Sequence, residues 1–399
     1  MRSNVYALDL ATGRVRWRRL FAATNEGPDG VAVSGGRVYG ATDSSAFALD
    51  ARTGRTLWRR FLVTPTARFV DIAPQVADGL VLVSTVGYPP NGRGVLYGLD
   101  ARTGAIRWRF DTIAGAWRVA REAGGGGAWE TPSVAGGEVF AGTANPYPYG
   151  GTRAHPNGGA YAGPALYTDS LLVLDAGSGR LAWYDQVTPH DVRDYDFQLP
   201  PILASAGGRQ LAIGAGKAGR VIAWDRSTHA RLWETRVGVH RNDTGPLPRR
   251  SVPVCPGLLG GVETPMAFEA GRVFVPVVDL CTRGSATGYE PLDRIDVPAR
   301  GRGELVALDA ASGRRLWTVR FPQADFGCAT AASGVVFTAT FDGTVYGIDA
   351  ADGRVLWRAA LRAGVNACPS LAGSTLLVGA GVPLRPGRST LELTAFRVG

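Results

Sequence analysis

The segment 188–197 gathers the residues whose chemistry could serve a reaction. Asp191, Asp194 and Asp196 occur within six positions, next to His190, which is one of only four histidines in the chain. The stretches on either side of the segment are largely apolar. A carboxylate held between core segments loses hydration, so it needs a cation or hydrogen-bond donors as partners. The segment is therefore either a functional site or a solvated acidic loop, and the features below favour the site.

The composition argues against two classes of function. The formal net charge is +9, but the arginines are spread along the sequence at turns and strand ends, whereas nucleic-acid binding needs a patch of positive charge. We therefore expect no nucleic-acid partner and read the excess as solubilising surface charge. No apolar run reaches the roughly 18 residues of a membrane-spanning helix, so we expect no transmembrane segment. No signal peptide is visible in the sequence.

A repeated pattern determines the fold class. Each repeat has an Asp, a turn that usually reads Thr-Gly or Ser-Gly, and a Trp eight residues after the Asp. Seven of the ten tryptophans occupy this position. The pattern predicts two strands joined by a tight turn, in which glycine supplies the positive φ and the Asp side chain bonds to the turn amides. His229 replaces the glycine in the fifth repeat, so we expect a strained or differently shaped turn there. The repeated aspartates are Asp9, Asp50, Asp100, Asp175, Asp225, Asp309 and Asp349.

The spacing of the repeats is typical of a β-propeller. The aspartates recur with a basic period of about 40 residues, and a further hairpin precedes most of the strand pairs. We therefore predict an all-β, eight-bladed propeller of four-stranded antiparallel blades, forming a single domain over residues 1–399. The tryptophans should wedge between neighbouring blades, with a small residue such as Ala48 or Gly98 making room. Met1 lies only four residues before Val5, so we expect the first, N-terminal blade to be incomplete.

The repeat resembles that of quinoprotein alcohol dehydrogenases, the PQQ-binding β-propeller enzymes, over nearly the whole chain. The likeness is strongest at 188–196, which reads TPHDVRDYD and is similar to the family's TPHDxWDYD. It continues at 142–146, which reads GTANP and is similar to GTGNP, and at 216–219, which reads GKAG. The resemblance implies oxidation of an alcohol or sugar by PQQ beside Ca²⁺ or a lanthanide. No CxxCH haem motif occurs, so a separate electron acceptor is expected.

The resemblance also assigns a role to individual residues. Asp194 would be the general base and a metal neighbour. Asn145 and Asp196 would be further metal ligands, since hard cations take several oxygens. Lys217 would touch the quinone oxygens, and Trp129 would be the flat surface on which the cofactor ring stacks.

Each assignment has a plainer alternative. Asp194 could pair with Arg193 or Lys217 and serve only structure, and Asn145 could be a turn residue. Lys217 could lie in an exposed turn, and Trp129 could be an ordinary core aromatic. These alternatives stay open at the level of sequence.

The sequence departs from the family pattern at three places. Pro89 stands where the family has a metal-binding glutamate, so Asp71 or Glu130 would have to supply that carboxylate. The vicinal cysteine pair of the family is missing. Arg193 replaces the tryptophan of the family's HDxWD, and beside Asp194 it would compete for the charge of that carboxylate and make it a poorer base.

The four cysteines show no metal-ligand spacing. Cys255 and Cys281 lie in stretches that look like a further family feature, and we expect them to be disulfide-bonded. Cys328 and Cys368 start equivalent strands in adjacent repeats, so we expect a second bridge. An even number of cysteines suits an oxidising compartment, and we predict a periplasmic or extracellular location. The alternative function is a non-catalytic propeller that serves as a binding or assembly scaffold in the cell envelope.

Overall fold

The computed structural model describes residues 2–24, 30–64, 69–70, 72–87, 92–113, 124–158, 163–383 and 390–397. The chain forms two compact units. The first comprises Met1–Tyr149, Gly158–Asp191 and Asp196–Pro200, and the second comprises Gly150–Asn157, Val192–Tyr195 and Pro201–Gly399. The single domain over residues 1–399 stays a prediction.

The first unit consists of antiparallel strands. They are β1 (Arg2–Leu8), β2 (Val15–Thr24), β3 (Ala32–Ser34), β4 (Arg37–Thr42), β5 (Ser45–Asp50), β6 (Thr56–Phe61), β7 (Gln75–Ala77), β8 (Leu80–Thr85), β9 (Val95–Asp100), β10 (Ile106–Asp111), β11 (Gly124–Gly125), β12 (Ser133–Ala135), β13 (Glu138–Gly142), β14 (Pro146–Tyr147), β15 (Ser170–Asp175) and β16 (Leu181–Gln186). Hydrogen bonds order them as β1-β2, β3-β4-β5-β6, β7-β8-β9-β10, β11-β14 and β12-β13-β15-β16.

The second unit repeats this construction. Its strands are β17 (Ile202–Ala206), β18 (Arg209–Ala215), β19 (Arg220–Asp225), β20 (Arg231–Arg236), β21 (Val252–Val254), β22 (Ala267–Glu269), β23 (Arg272–Asp279), β24 (Thr282–Ser285), β25 (Gly288–Tyr289), β26 (Arg302–Asp309), β27 (Arg315–Phe321), β28 (Thr330–Ala332), β29 (Val335–Ala339), β30 (Thr344–Asp349), β31 (Val355–Ala360), β32 (Ser370–Ala372), β33 (Thr375–Ala380) and β34 (Glu392–Arg397). The sheets are β17-β18-β19-β20, β21-β24-β25, β22-β23-β26-β27, β28-β29-β30-β31 and β32-β33-β34.

The predicted all-β class is confirmed. Among the described residues, helical structure is limited to short turns at Pro156–Gly158 and Leu292–Arg294 and to α1 (Val297–Arg300). Six sheets have four antiparallel strands, the first sheet in the described chain has two, and the last has three. No helix in the described residues is long and apolar enough to cross a membrane.

The repeated aspartates close the turns as predicted. Asp50 Oδ1 accepts hydrogen bonds from Thr53 N at 2.8 Å and Thr53 Oγ1 at 2.7 Å. These bonds hold the pKa of Asp50 below its usual range, because they stabilise the ionised carboxylate. Gly54 then takes a φ of 70°. His229 adopts 61° at the same place, so its turn is strained by about 1–2 kcal/mol, as predicted.

Five of the repeated tryptophans dock on the next repeat of their own unit. Trp58 Nε1 donates to Ala101 O at 3.1 Å, and Ala101 directly follows the next repeat's Asp100. The bond from Trp108 to Ala176 O is equivalent, at 2.8 Å. The predicted wedge between neighbouring repeats is therefore confirmed for these residues. The same bond joins Trp17 to Ala51, Trp233 to Ala310 and Trp317 to Ala350.

The docked indoles explain why small residues recur. A Cβ on Gly104 would lie 2.6 Å from Trp58 Cε3, so the turn glycine also makes room for the preceding repeat's ring. A Cβ on Gly98 would lie 2.2 Å from Trp108, its partner across the β9–β10 ladder. The predicted role of Gly98 is thus confirmed.

Both predicted disulfides are present in the second unit. Cys255 pairs with Cys281, and Cys328 pairs with Cys368, with Cα–Cα distances of 4.5 and 4.9 Å. No cysteine is free.

Gly104→Ala should destabilise the protein more than Gly13→Ala. Both glycines have a φ of 71°, but nothing lies within 4 Å of a Cβ built on Gly13. Gly13→Ala should lower the free energy of unfolding by about 1 kcal/mol, the cost of the left-handed backbone alone. Gly104→Ala adds the clash with Trp58 and should cost at least about twice as much. Urea unfolding followed by tryptophan fluorescence measures both, and equal losses would contradict the docking role of the glycine.

Candidate functional site

Residues 191–197 of the segment are largely buried although three of them are acidic, whereas Pro189 before them is exposed. Asp191 and Asp196 are almost fully buried, and Asp194 is largely buried. The reading of this segment as a solvated acidic loop is therefore wrong. His190 and Asp194 adopt positive φ values of 54° and 65°. Asp and His are among the residues that tolerate this conformation best, so the segment turns sharply without glycine.

Asp194 forms an ion pair with Lys217 in the second unit. Lys217 Nζ donates to Asp194 Oδ2 at 3.0 Å, and both side chains are largely buried. Lys217 is the only lysine in the chain, and it lies in the turn between β18 and β19. The reading of Lys217 as an exposed turn residue is therefore wrong. The contact confirms one of the two partners that the sequence suggested for Asp194.

The turn that carries Lys217 packs against the segment 255–262, which is disulfide-bonded through Cys255. A Cβ on Gly261 would lie 2.0 Å from Lys217 O, so the two backbones are in direct contact. Val262 N donates to Gly216 O at 3.2 Å, which ties the same segment to the start of the turn. The Cys255–Cys281 bridge lies at the beginning of this segment. The position of Lys217 is thus set by backbone contacts.

Arg193 is buried and binds backbone carbonyls. Its Nε donates to Asn242 O at 3.0 Å, and its Nη2 donates to Thr244 O at 3.1 Å and to Gly245 O. A guanidinium has five donors in a fixed fork, which suits several carbonyls on one loop. Arg193 therefore fastens the loop 242–245 beside Asp194. Its competition for the charge of Asp194 stays a prediction.

Arg193→Met should loosen this loop. Without the guanidinium, the three backbone carbonyls lose these donors. Amide exchange at 242–245 should then be about tenfold faster, which corresponds to the loss of one net hydrogen bond. Hydrogen–deuterium exchange with mass spectrometry measures the effect. Arg241→Met, at an exposed neighbouring arginine, is the matched control and should leave the exchange unchanged. Equal exchange in the Arg193 variant and the unmodified protein would show that the fork does not hold the loop.

In the first unit, Asn145 and Asp196 lie together. Asn145 N donates to Asp196 Oδ1 at 2.7 Å, and Asn145 Nδ2 donates to Pro146 O at 3.0 Å. The bond to Pro146 is what a turn residue makes, so this alternative is supported. A ligand role for the Asn145 amide oxygen stays a prediction.

Trp129 follows a glycine segment that packs against Asn145. Gly126 N donates to Asn145 O at 3.0 Å, and a Cβ on Gly125 would lie 2.3 Å from the same oxygen. The pairing of β11 with β14 adds hydrogen bonds between these stretches. Trp129 is half-buried. The first unit thus brings the chain around Trp129 and the chain around Asn145 together through their backbones.

The described residues do not by themselves make a cation site. Among them, no group of three or more His, Cys, Asp or Glu side chains is placed to hold a metal ion. One oxygen of Asp194 accepts from Lys217, and one of Asp196 accepts from Asn145. Calcium binds six to eight oxygens, so this set falls short. Asp71 and Pro89 lie outside the described residues, and the predicted metal roles of Asn145, Asp194 and Asp196 stay predictions.

Two acids to which the sequence analysis gave no role have perturbed pKa values. Burial raises the pKa of Asp325 to about 8, although Thr338 Oγ1 donates to its Oδ1 at 2.6 Å. Burial, helped by the charge of Glu304, raises the pKa of Asp279 to about 6, and Val239 N donates to it at 2.9 Å. The only sequence feature that could have indicated these two acids is their position within or at the end of a largely apolar stretch.

Asp325→Asn should change how stability depends on pH. The pKa of Asp325 rises from an ordinary 3.8 to about 8, so the folded state binds a proton that the unfolded state releases. The free energy of unfolding therefore falls as pH rises between these two values, and the asparagine variant should lack this contribution. Urea unfolding across that interval should show the variant gaining stability relative to the unmodified protein. Asp352→Asn, at an exposed acid, is the control, and a constant difference for Asp325→Asn would contradict the raised pKa.

Two family models match parts of the chain. Residues 63–237 match the β-propeller domain of glucose, ethanol and alcohol dehydrogenases, a PQQ family. Residues 301–394 match the family described as outer membrane protein assembly factor BamB.

Individual relatives are longer than this chain. It is 28% identical over 442 residues to quinohemoprotein alcohol dehydrogenase ADH IIB of Pseudomonas putida, covering 92% of this chain and 62% of the relative. It is 29% identical over 364 residues to the quinohemoprotein alcohol dehydrogenase of Comamonas testosteroni, covering 75% of this chain and 50% of the relative. The chain thus matches only 62% and 50% of the length of these two proteins.

Solved structures of the same kind share the fold. The Comamonas testosteroni enzyme has a TM-score of 0.82 at 23% identity, covering 98% of this chain and 71% of that chain. A europium-containing methanol dehydrogenase has a TM-score of 0.79 at 21% identity, covering 95% and 79%. The fold is therefore a β-propeller, as predicted, and the chain resembles quinoprotein alcohol dehydrogenases. The blade count and the incomplete first blade stay predictions.

Proposed function

We propose that this chain, which resembles quinoprotein alcohol dehydrogenases, is a PQQ-dependent dehydrogenase that oxidises an alcohol or sugar. The Asp194–Lys217 ion pair is the observation that carries the proposal. It unites an acid from the segment similar to TPHDxWDYD with the single lysine of the segment GKAG. The match of residues 63–237 to the dehydrogenase propeller family supports the same function.

Asp194 is the proposed general base, which takes the hydroxyl proton of the substrate. The neighbouring Lys217 ammonium pairs with this carboxylate at 3.0 Å and holds it in place. Lys217 has three N–H donors, so it can hold Asp194 and still offer donors to an acceptor on a bound ligand. Its place in a turn backed by the disulfide-bonded segment keeps it oriented.

PQQ, when bound, supplies the quinone that accepts the hydride. The donors of Lys217 suit its quinone oxygens, and the indole of Trp129 suits stacking on its ring. Asn145, Asp194 and Asp196 are the side chains that would offer oxygens to Ca²⁺ or a lanthanide.

The proposed setting is the periplasm or the cell exterior, with a separate electron acceptor. Two disulfides fit an oxidising compartment.

A scaffold function in the cell envelope is the second candidate. The match of residues 301–394 to the BamB family favours it, because that family's description is of an assembly factor. The two candidates differ in one measurable property, which is binding of PQQ.

Asp194→Asn should abolish turnover and preserve PQQ binding. Binding is measured by quenching of tryptophan fluorescence, and turnover by dye reduction with alcohols and sugars, each with Ca²⁺ or La³⁺. We expect turnover to fall by about 10²–10⁴-fold, the usual contribution of a general base. Lys217→Met should weaken PQQ binding itself.

Asp78→Asn is the matched control for Asp194→Asn. Asp78 also has a positive φ, 51°, but is exposed and lies outside the segment, so its variant should leave binding and turnover unchanged. If the unmodified protein shows neither binding nor turnover with either metal, the dehydrogenase proposal is wrong and the scaffold reading stands.

A further inference from the structure

Three edge strands of the first unit carry two or three arginines each. β2, β6 and β10 each end the strand order of their sheet, and each carries arginines around its docked tryptophan. In contrast β16, the edge strand of the β12-β13-β15-β16 sheet, carries none. We call β2, β6 and β10 together the arginine surface. Its arginines are Arg16, Arg18, Arg19, Arg59, Arg60, Arg107 and Arg109.

The positive charge of this surface is only partly neutralised. Arg16, Arg107 and Arg109 pair with aspartates, while keeping about half or more of their side chains exposed. Within the described part of the chain, no carboxylate forms an ion pair with Arg18 or Arg19. The same holds for the arginines of β6. The surface therefore keeps a positive charge that is available to a partner. The aspartates that pair with Arg16, Arg107 and Arg109 are Asp9, Asp100 and Asp111, respectively.

Large apolar side chains lie exposed among these arginines. Phe61 is 66% exposed and Leu20 is 53% exposed. Val15, Leu57 and Ile106 on the same strands are also exposed. Single exposed apolar residues are common, but several of them on adjoining strands mark an interaction surface.

Side-chain contacts connect β2 to β6, and β6 to the turn before β10, within the first unit. The Arg59 guanidinium lies 4.8 Å from the Phe61 ring and 5.9 Å from the Phe21 ring on β2, which Arg19 also approaches at 5.7 Å. Arg60 Nε donates to Gly104 O at 2.7 Å, which links β6 to the turn before β10. The arginines, spread in sequence, thus form one surface.

We propose that the arginine surface binds a membrane rich in anionic lipid. Guanidinium groups suit lipid phosphates, and exposed leucine, valine and phenylalanine side chains enter the boundary between headgroups and acyl chains. Charges that only protect an edge strand from pairing need no exposed Phe61 between them, and β16 is an edge strand without arginine. A nucleic-acid backbone would use the arginines and leave the exposed aliphatic side chains in water, so lipid accounts for more of the surface.

Co-sedimentation of the full chain with lipid vesicles tests the proposal. We expect binding to vesicles of equal phosphatidylcholine and phosphatidylglycerol, none to phosphatidylcholine alone, and release by salt. The triple variant Arg18→Gln, Arg19→Gln and Arg59→Gln should bind at least about tenfold more weakly. Phe61→Ser should also weaken binding, through the apolar contribution.

The matched control removes the same charge from the second unit. Arg315→Gln, Arg354→Gln and Arg358→Gln change three exposed arginines on and beside β27 and β31, and this variant should bind like the unmodified protein. Circular dichroism and thermal melting confirm that both triple variants fold. Equal weakening by the two triples would mean that binding follows the net charge, and would overturn the proposal. A lack of binding to anionic vesicles would also overturn the proposal. So would a triple variant of the arginine surface that binds vesicles normally and loses binding only to an acidic protein or a nucleic acid.

Discussion

The rest of the structure depends on the docking of five repeated tryptophans, each on the following repeat of its own unit. The indole N–H donates to the carbonyl that follows the next repeat's aspartate, and the ring lies on the turn glycine of that repeat. Trp58 with Gly104 is one instance, and Trp317 with Gly353 is another. One residue thus satisfies a polar group, buries an aromatic ring and joins two sheets that share no strand hydrogen bonds. This is why the glycine is required for space as well as for its positive φ.

Because the sheets are joined in this way, the connecting segments can hold polar groups that a core would exclude. Asp194 and Lys217 lie in such segments, and the attraction between their opposite charges offsets the hydration that both lose on burial. Arg193 meets the same requirement with backbone carbonyls. Asp325 meets it differently, because its carboxyl keeps its proton when buried. Each of these three buried groups thus has a donor, an acceptor or a proton that offsets its loss of hydration.

The residue types of the candidate site were readable in the sequence, but it left two partners open for Asp194 and suggested none for Asp196. The motif around Asp194 and the single lysine indicated which side chains to consider, and the structure joined them at 3.0 Å. It also joined Asn145 to Asp196 through a backbone amide, a contact that the motifs did not suggest. Asp325 carried no motif, since only burial by distant strands makes its carboxyl unusual. Arginines that looked scattered along the chain came together because stacking of the sheets brings equivalent edge strands side by side.

By itself the sequence determined the all-β class, the tryptophan-bearing repeat, the strained turn at His229 and the Cys328–Cys368 disulfide. These features depend on residues a few positions apart or on equivalent positions of successive repeats, so their spacing is visible in one dimension. Only the tertiary structure decided which donor each carboxylate receives and which arginines share a surface. Those outcomes depend on contacts between residues far apart in the chain, and on the loss of hydration that the contacts bring, neither of which spacing records.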